Sequence, residues 1–447
     1  MRNSTARRAL LLFPFFSLAA FAQQSLDALI DRELPKLCET YKFLHQNPEI
    51  SYQEEKTSAF LAKELRGLGF EITDNFGRYR DEGRTSFGLV AVLKNGVGPT
   101  VMVRTDMDAL PVEEKTGLPY SSTARTRNDA GQEVAIMHAC GHDIHMSSFL
   151  GTATLLSRTK DRWKGTLIMI GQPSEERGAG AQAMLGGGLY DRFPRPDFLL
   201  AIHDNASLEA GKVGMTEGFA FASVTSVDLI VRGLGGHGAY PHLTKDPIVL
   251  AAEIVLALQT IVSRENSPLD PAVVTVGSIH GGTKHNIIPD DVLLQITVRA
   301  YKEDVRKRII ASIGRIARGT ALAAGIPEDR MPVVKVDESE YTASTYNNPA
   351  FTQRVSRVLQ SALGKENVVK LDPVMGAEDF GAYSQNDAIP LCIYWLGAIE
   401  PAKVRKSEET GIPLPSLHSS LFAPQPEPTI RTGMKAMTSI VLDLMKR

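Results

Sequence analysis

The chain has 447 residues, of which 43% are hydrophobic and 22% charged, a globular balance that excludes disordered, collagen-like and disulfide-rich classes. A formal net charge of -2 carries no electrostatic footprint for nucleic acid or an anionic membrane. Three cysteines cannot build a disulfide framework, so their interest lies in site chemistry.

In chain order, the first predicted element is not part of the fold. Arg2, Arg7 and Arg8 precede an apolar run from Ala9 to Phe21, and Ala20, Phe21 and Ala22 give the small-x-small cleavage pattern of a secretory signal peptide. That run is too short to cross about 30 Å of hydrocarbon as a helix. Residues 1–22 are therefore expected to be removed on export to the periplasm or the exterior, which takes away three arginines and moves the charge from -2 to -5. No later segment reads as long and apolar enough to cross a membrane.

Amphipathic helices are predicted over Ser25 to Gln46 and Glu54 to Leu68. Apolar strands follow at Phe87 to Leu93, Thr100 to Val103, Thr166 to Ile170 and Phe198 to Ile202, with a helix starting near Asp143. Wholly apolar strands alternating with helices imply an α/β layered domain around a mostly parallel sheet buried on both faces. Between residues 223 and 337 the order changes to strand Val224–Val231, helix Asp246–Ser263 and strands Ala272–Ser278 and Asp291–Ala300. Helix Glu303–Ala323 and strand Pro332–Val336 complete it. This βαββαβ order is the ferredoxin-like arrangement, read as an insert that interrupts a domain formed by residues 23–222 and 338–447. A helix after Asn348 and Pro349 and a buried strand at Leu391 to Trp395 close the pattern.

Of 10 histidines, three (His138, His142 and His145) fall within eight residues around Cys140. Cys140 and His142, separated by one glycine, can turn thiolate and imidazole toward one point, a donor pair suited to zinc and similar ions. Further donors follow apolar runs: Glu175 and Glu176 after one strand, His203 after another, and His418 near the C-terminus. Adjacent carboxylates are an expensive like-charge pair unless a cation sits between them, and open α/β sheets place their sites at polar strand ends. Cys140, His142, Glu176, His203 and His418 thus offer five ligands, enough for two cations that activate water. Glu175, beside a ligand but free of metal, is the natural base.

Seven ordered motifs carry a resemblance: TDMDALP at Thr105–Pro111, HACGHD at His138–Asp143, QPSEE at Gln172–Glu176, GGHGA at Gly235–Ala239, NIIPD at Asn286–Asp290, GAEDF at Gly376–Phe380 and LHS at Leu417–Ser419. Together they resemble the di-metal amidohydrolases of the hippurate hydrolase and auxin-conjugate hydrolase type, a branch of the aminoacylase and carboxypeptidase metallopeptidases. The resemblance runs from about Glu39 to Phe422. It implies two divalent ions per subunit, manganese or zinc, on Cys140, His142, Glu176, His203 and His418, with Glu175 as base and hydrolysis of N-acyl or N-aroyl amino acids or short peptides. It further implies that Asp108 orients a ligand, and it leaves open whether Asp106 touches metal. The insert resembles a lid and dimerisation domain, implying a homodimer in which His237 supports the oxyanion, in its own site or the partner's. Asn286 and Arg299 match substrate-binding positions, Arg299 as a clamp for a carboxylate. Ser174 stands where such proteins more usually have Ala, and Ser420 where they have Pro.

Two other classes are compatible with the same residues: a metal-free thiol nucleophile on Cys140 paired with His142, and an exported binding protein without catalysis. Gly233 to Gly238 fits G-x-G-x-x-G, but no helix opens there to receive a pyrophosphate, and the chain has no G-x-S-x-G elbow. Cys38 and Cys392 read as small buried apolar residues, with a bridge between them left open.

Overall fold

A computed structural model describes residues 25–81 and 83–446, without the side chains of residues 338–340, so the expected signal segment lies outside the described residues. Eight strands form the central sheet, in the order Glu71–Phe76, Gly88–Asn95, Gly165–Gln172, Thr100–Asp106, Phe198–Glu209, Leu391–Ile399, Val213–Met215 and Val368–Lys370. Its four middle strands are mutually parallel. Their apolar runs are buried on both faces, as a sheet covered by helices requires. One face packs against helices Leu26–Gln46, His142–Arg158 and Pro426–Leu444. The other packs against the short helix Gly180–Gly186 and the turn Asp379–Ser384. Parallel register sets Asp106 beside Gln172 and His203 beside Trp395, so polar residues collect at one edge of the sheet.

Several strands are longer than their apolar cores suggest. Phe198–Glu209 continues through His203 and Asp204, because the ladder to Leu391–Ile399 continues through those residues. The short strands Glu71–Phe76, Val213–Met215 and Val368–Lys370 and the helix Pro426–Leu444 have no counterpart in the sequence reading.

The insert is an antiparallel sheet in the order Ala272–Gly281, Asp291–Ala300, Ser223–Arg232 and Val333–Thr342. Helices Pro247–Thr260 and Glu303–Ala323 cover one face, burying Leu229, Leu250, Ile254, Leu294, Ile309 and Ile313. Asp246 caps the first helix by accepting the Ile248 N–H at 2.8 Å, with Pro247 at its first position. Strand Val333–Thr342 runs past residue 337, because its pairing with Ser223–Arg232 resumes beyond an irregularity and carries Thr342 opposite Val224. By length and composition, Pro247–Glu265 is apolar enough to cross a membrane, which corrects the expectation that no later segment is. In this fold Leu250, Ala251, Ile254 and Leu258 are buried on the sheet, while Ile248, Val249 and Leu256 are exposed.

A buried ion cluster ties the first helix to the site. His45 Nδ1 meets Asp143 Oδ2 at 2.7 Å and its Nε2 meets Glu114 Oε1 at 3.2 Å. Burial disfavours the charged imidazole, but the two carboxylates outweigh it and push His45 to about 10. Glu114, raised by burial, is drawn down to about 2 by its bonds to His45 and Thr116. A raised histidine stabilises the fold fully below its ordinary pKa, and that contribution fades as pH climbs through the folded value. Replacing His45 leaves two buried carboxylates unpaired, so His45→Ala is expected to cost about 3–5 kcal/mol at pH 7. Measured by denaturant unfolding, the difference from wild type should narrow as pH rises through 10; a pH-independent difference contradicts the ion cluster.

Candidate metal centre

The helix His142–Arg158 begins at Gly141, whose φ of +80° is left-handed and whose added Cβ would stand 2.4 Å from Asp204 Oδ2, so glycine is required twice over. This junction sets Cys140 and His142 side by side. Cys140 Sγ lies 3.6 Å from His203 Nε2 and 3.3 Å from His418 Nε2. His142 Nε2 lies 3.9 Å from both Glu175 Oε2 and Glu176 Oε1, and His418 Nε2 is 3.5 Å from Glu176 Oε2. The structure thus brings together all five expected ligands and Glu175. Cys140, His142 and His203 form one set whose donor atoms lie within 4.8 Å of one another, and Cys140, Glu176 and His418 form a second.

The donors are aimed by what surrounds them. His142 Nδ1 donates to the Asp108 carbonyl at 2.7 Å and His203 Nδ1 to the Asp204 carbonyl at 2.9 Å, which turns each Nε2 toward the cluster. The Asp108 carboxylate accepts the N–H groups of Glu175 and Glu176 at 3.2 and 3.0 Å. Both oxygens of Asp106 are engaged, one with His145 Nδ1 at 2.7 Å and one with Arg104 Nη1 at 2.6 Å. His145 in turn accepts the Asp204 N–H at 2.8 Å.

Charge shows what the cluster lacks. Burial, then the neighbouring Glu378 and Glu176, pushes Glu175 well above the carboxylate range; burial also raises Glu176, to about 7. Burial, then Glu176 and Glu175, drive the Cys140 thiol far up, so the protein alone disfavours a thiolate there. That opposes a metal-free cysteine nucleophile. Burial lowers His203 to about 3 and lowers His418, leaving both neutral. His142, despite burial, is raised to about 10 by Asp106, Asp108 and Glu176. His142 Nε2 and Glu176 Oε1 are buried with no hydrogen-bond partner. Sulfur, nitrogen and oxygen donors with unpartnered atoms facing one another fit divalent cations, whose charge would relieve the crowded carboxylates.

A cavity of about 720 Å³ opens from the cluster and is lined by both domains. Phe221 and Trp395 form an aromatic wall, ring centroids 4.8 Å apart, and Arg299 enters from the insert. Arg299 is half-buried, its basicity lowered by burial alone, with Thr297 Oγ1 at 3.3 Å and no acidic partner among the described residues. His237 and Asn286 lie elsewhere on the insert. Both are exposed, the Gly238 N–H donates to the Asn286 carbonyl at 2.9 Å, and neither lines the cavity. Cys38 and Cys392 are both free thiols.

Sequence reasoning missed Arg104. It is fully buried and bonds Glu378 at 2.8 Å, Asp379 at 3.3 Å and Gln172 at 3.0 Å besides Asp106. A lone arginine inside an otherwise apolar strand was the available signal, since a buried guanidinium demands carboxylates. It gives Glu378 and Asp379, seen only as part of a motif, a definite place beneath Glu175.

The family description "Peptidase family M20/M25/M40" matches residues 102–414. The chain is 36% identical over 389 residues to thermostable carboxypeptidase 2 of Saccharolobus solfataricus, covering 85% of this chain and 88% of the relative. It is 35% identical to the N-acetyl-L-cysteine deacetylase of Bacillus subtilis, covering 77% and 76%. Among solved structures, the Bacillus subtilis YXEP protein, a dinuclear metal binding peptidase from the M20 family, superposes with a TM-score of 0.72 at 26% identity, covering 93% of this chain and 99% of that one.

Proposed function

From the premise that the chain belongs to peptidase family M20/M25/M40 and is an amide-bond hydrolase of that family, we propose that it cleaves N-acyl or N-aroyl amino acids or short peptides with two divalent cations, manganese or zinc. The observation that carries this reading is the buried convergence of Cys140, His142, Glu176, His203 and His418 beside Glu175. These five would hold the pair, and the pair when bound supplies Lewis acidity toward a carbonyl and toward water.

The protein's own groups supply the rest. Glu175, largely buried at the cavity wall and flanked by acids, has the raised proton affinity needed to take a proton from water and return it to a leaving amine. Arg299, without an acid of its own, receives the substrate carboxylate through parallel N–H bonds. The aromatic wall of Phe221 and Trp395 accommodates the apolar part of an acyl group. His237 and Asn286 serve the site of a second copy, in a dimer that covers the exposed Ile248, Val249 and Leu256 of the insert.

Glu175→Gln is expected to lower kcat by about 10²- to 10⁴-fold with metal content unchanged; full activity in that variant removes Glu175 as base. Arg299→Met should raise KM for an acyl amino acid by more than about tenfold and spare the corresponding amino-acid amide, whereas equal effects on both substrates argue against the clamp. Mixing inactive Glu175→Gln with inactive His237→Ala should restore activity if sites are shared between copies. No recovery, with a monomer in sedimentation, contradicts the shared site.

A further inference from the structure

Glu54 precedes the helix Glu55–Gly67, where an acidic side chain ordinarily caps the first turn. It makes no capping bond. The N–H groups of Lys56 and Thr57 are met instead by Glu49, at 3.3 and 2.8 Å. The Glu54 carboxylate turns inward, fully buried, and accepts the Ser174 N–H at 2.7 Å and the Ser174 hydroxyl at 3.1 Å. A buried carboxylate is costly, and this one bonds the residue immediately before Glu175.

Ser174 is itself in a conformation that side chains disfavour, with φ +53° and ψ 42° in the left-handed region. Such a residue persists where its surroundings over-determine it. Its hydroxyl, buried, accepts the Tyr52 N–H at 3.0 Å and the Tyr79 hydroxyl at 2.8 Å while donating to Glu54, which uses its full bonding capacity. The next two N–H groups, of Glu175 and Glu176, point at Asp108, which also accepts the Ser51 hydroxyl at 2.6 Å. Three successive backbone donors, at residues 174 to 176, are thus held by two buried carboxylates.

We propose that Glu54 and Ser174 are a positioning pair: through the Ser174 N–H and hydroxyl, Glu54 locks the left-handed turn that aims Glu175 and Glu176 into the cluster. Neither residue faces the cavity. The inference rests on Glu175 as base and Glu176 as ligand. Because a misplacement of about 1 Å can cost a hundredfold in rate, Glu54→Ala and Ser174→Ala should each lower kcat by about ten- to a hundredfold while KM changes by less than about threefold. Glu54→Gln, which keeps an acceptor oxygen, should recover most of the loss relative to Glu54→Ala. Residues acting through one bond do not add, so the double variant should be no slower than the slower single.

Ser174→Ala removes one oxygen and keeps the test open if Glu54→Ala folds poorly. A second readout is metal retention: in competition with a chelator, Glu54→Ala should release added manganese or zinc sooner than wild type, since the same turn carries Glu176. Unchanged kcat and unchanged retention, with only the melting temperature lowered, overturn the positioning role, as do additive losses. Glu175→Gln is assayed alongside. If it alone keeps activity, the base assignment fails and the pair is judged on metal retention. If it is inactive while Ser174→Ala and Glu54→Ala turn over normally, the base stands and the pair falls.

Discussion

Uncompensated negative charge in a water-poor interior is the constraint on which this structure turns. Asp106, Asp108, Glu175, Glu176, Glu378 and Asp379 lie together at one edge of the sheet, and all but Glu176 are buried. Coulomb repulsion at such separations is far stronger than at a surface, and a protein answers it by protonating the groups, pairing them or admitting a cation. Close pairing with an arginine is used on one side. Arg104 sits among Asp106, Glu378 and Asp379 and offsets part of the negative charge on that half of the cluster. On the other half, Glu175 and Glu176 have the His142 imidazole at 3.9 Å and thiol and imidazole donors beyond it. One imidazole cannot balance both glutamates, and the unpartnered His142 Nε2 and Glu176 Oε1 mark where a cation would supply the remaining charge.

The fold meets this constraint with rigid parts. Parallel strands end together, so donors far apart in sequence arrive at one place without long flexible loops. His203 lies on a strand, His142 on the first turn of a helix, and the carboxylates on a turn whose backbone is pinned from below. His418 arrives on a loop in the left-handed conformation, φ +66°, fixed by its own N–H to the Ala139 carbonyl at 2.8 Å. Preorganisation of this kind means that binding an ion moves little, and the cost of assembling the donors is met by packing during folding. The insert closes the cavity from above and brings to it a cationic side chain without an acid of its own.

How much of this was legible in the sequence depends on what kind of fact each residue expresses. Cys140 and His142, or Glu175 and Glu176, announce themselves because rare donor types crowd a short stretch. His203 and His418 follow from their places after apolar runs or late motifs. Helix Glu303–Ala323 and strand Asp291–Ala300 match their expected bounds, since periodicity and burial coincide there. Residues such as His45, Ser51 and Glu54 were invisible because their roles exist only through burial: nothing local distinguishes a capping Glu54 from one that faces inward. The three-residue strands Val213–Met215 and Val368–Lys370 escaped for a related reason, being too brief to show a period. The helix Pro247–Thr260 falls within its expected bounds, and what the sequence hid is that its apolar residues point both to its own core and to solvent.

The most direct measurement is the number and position of divalent ions in the reconstituted protein, by elemental analysis combined with anomalous diffraction at the manganese or zinc edge. Two ions per chain are expected, both within coordinating distance of donors from Cys140, His142, Glu176, His203 and His418, and neither held by Glu175. A protein that binds no ion at this cluster, or hydrolyses amides undiminished after its ions are stripped, contradicts it.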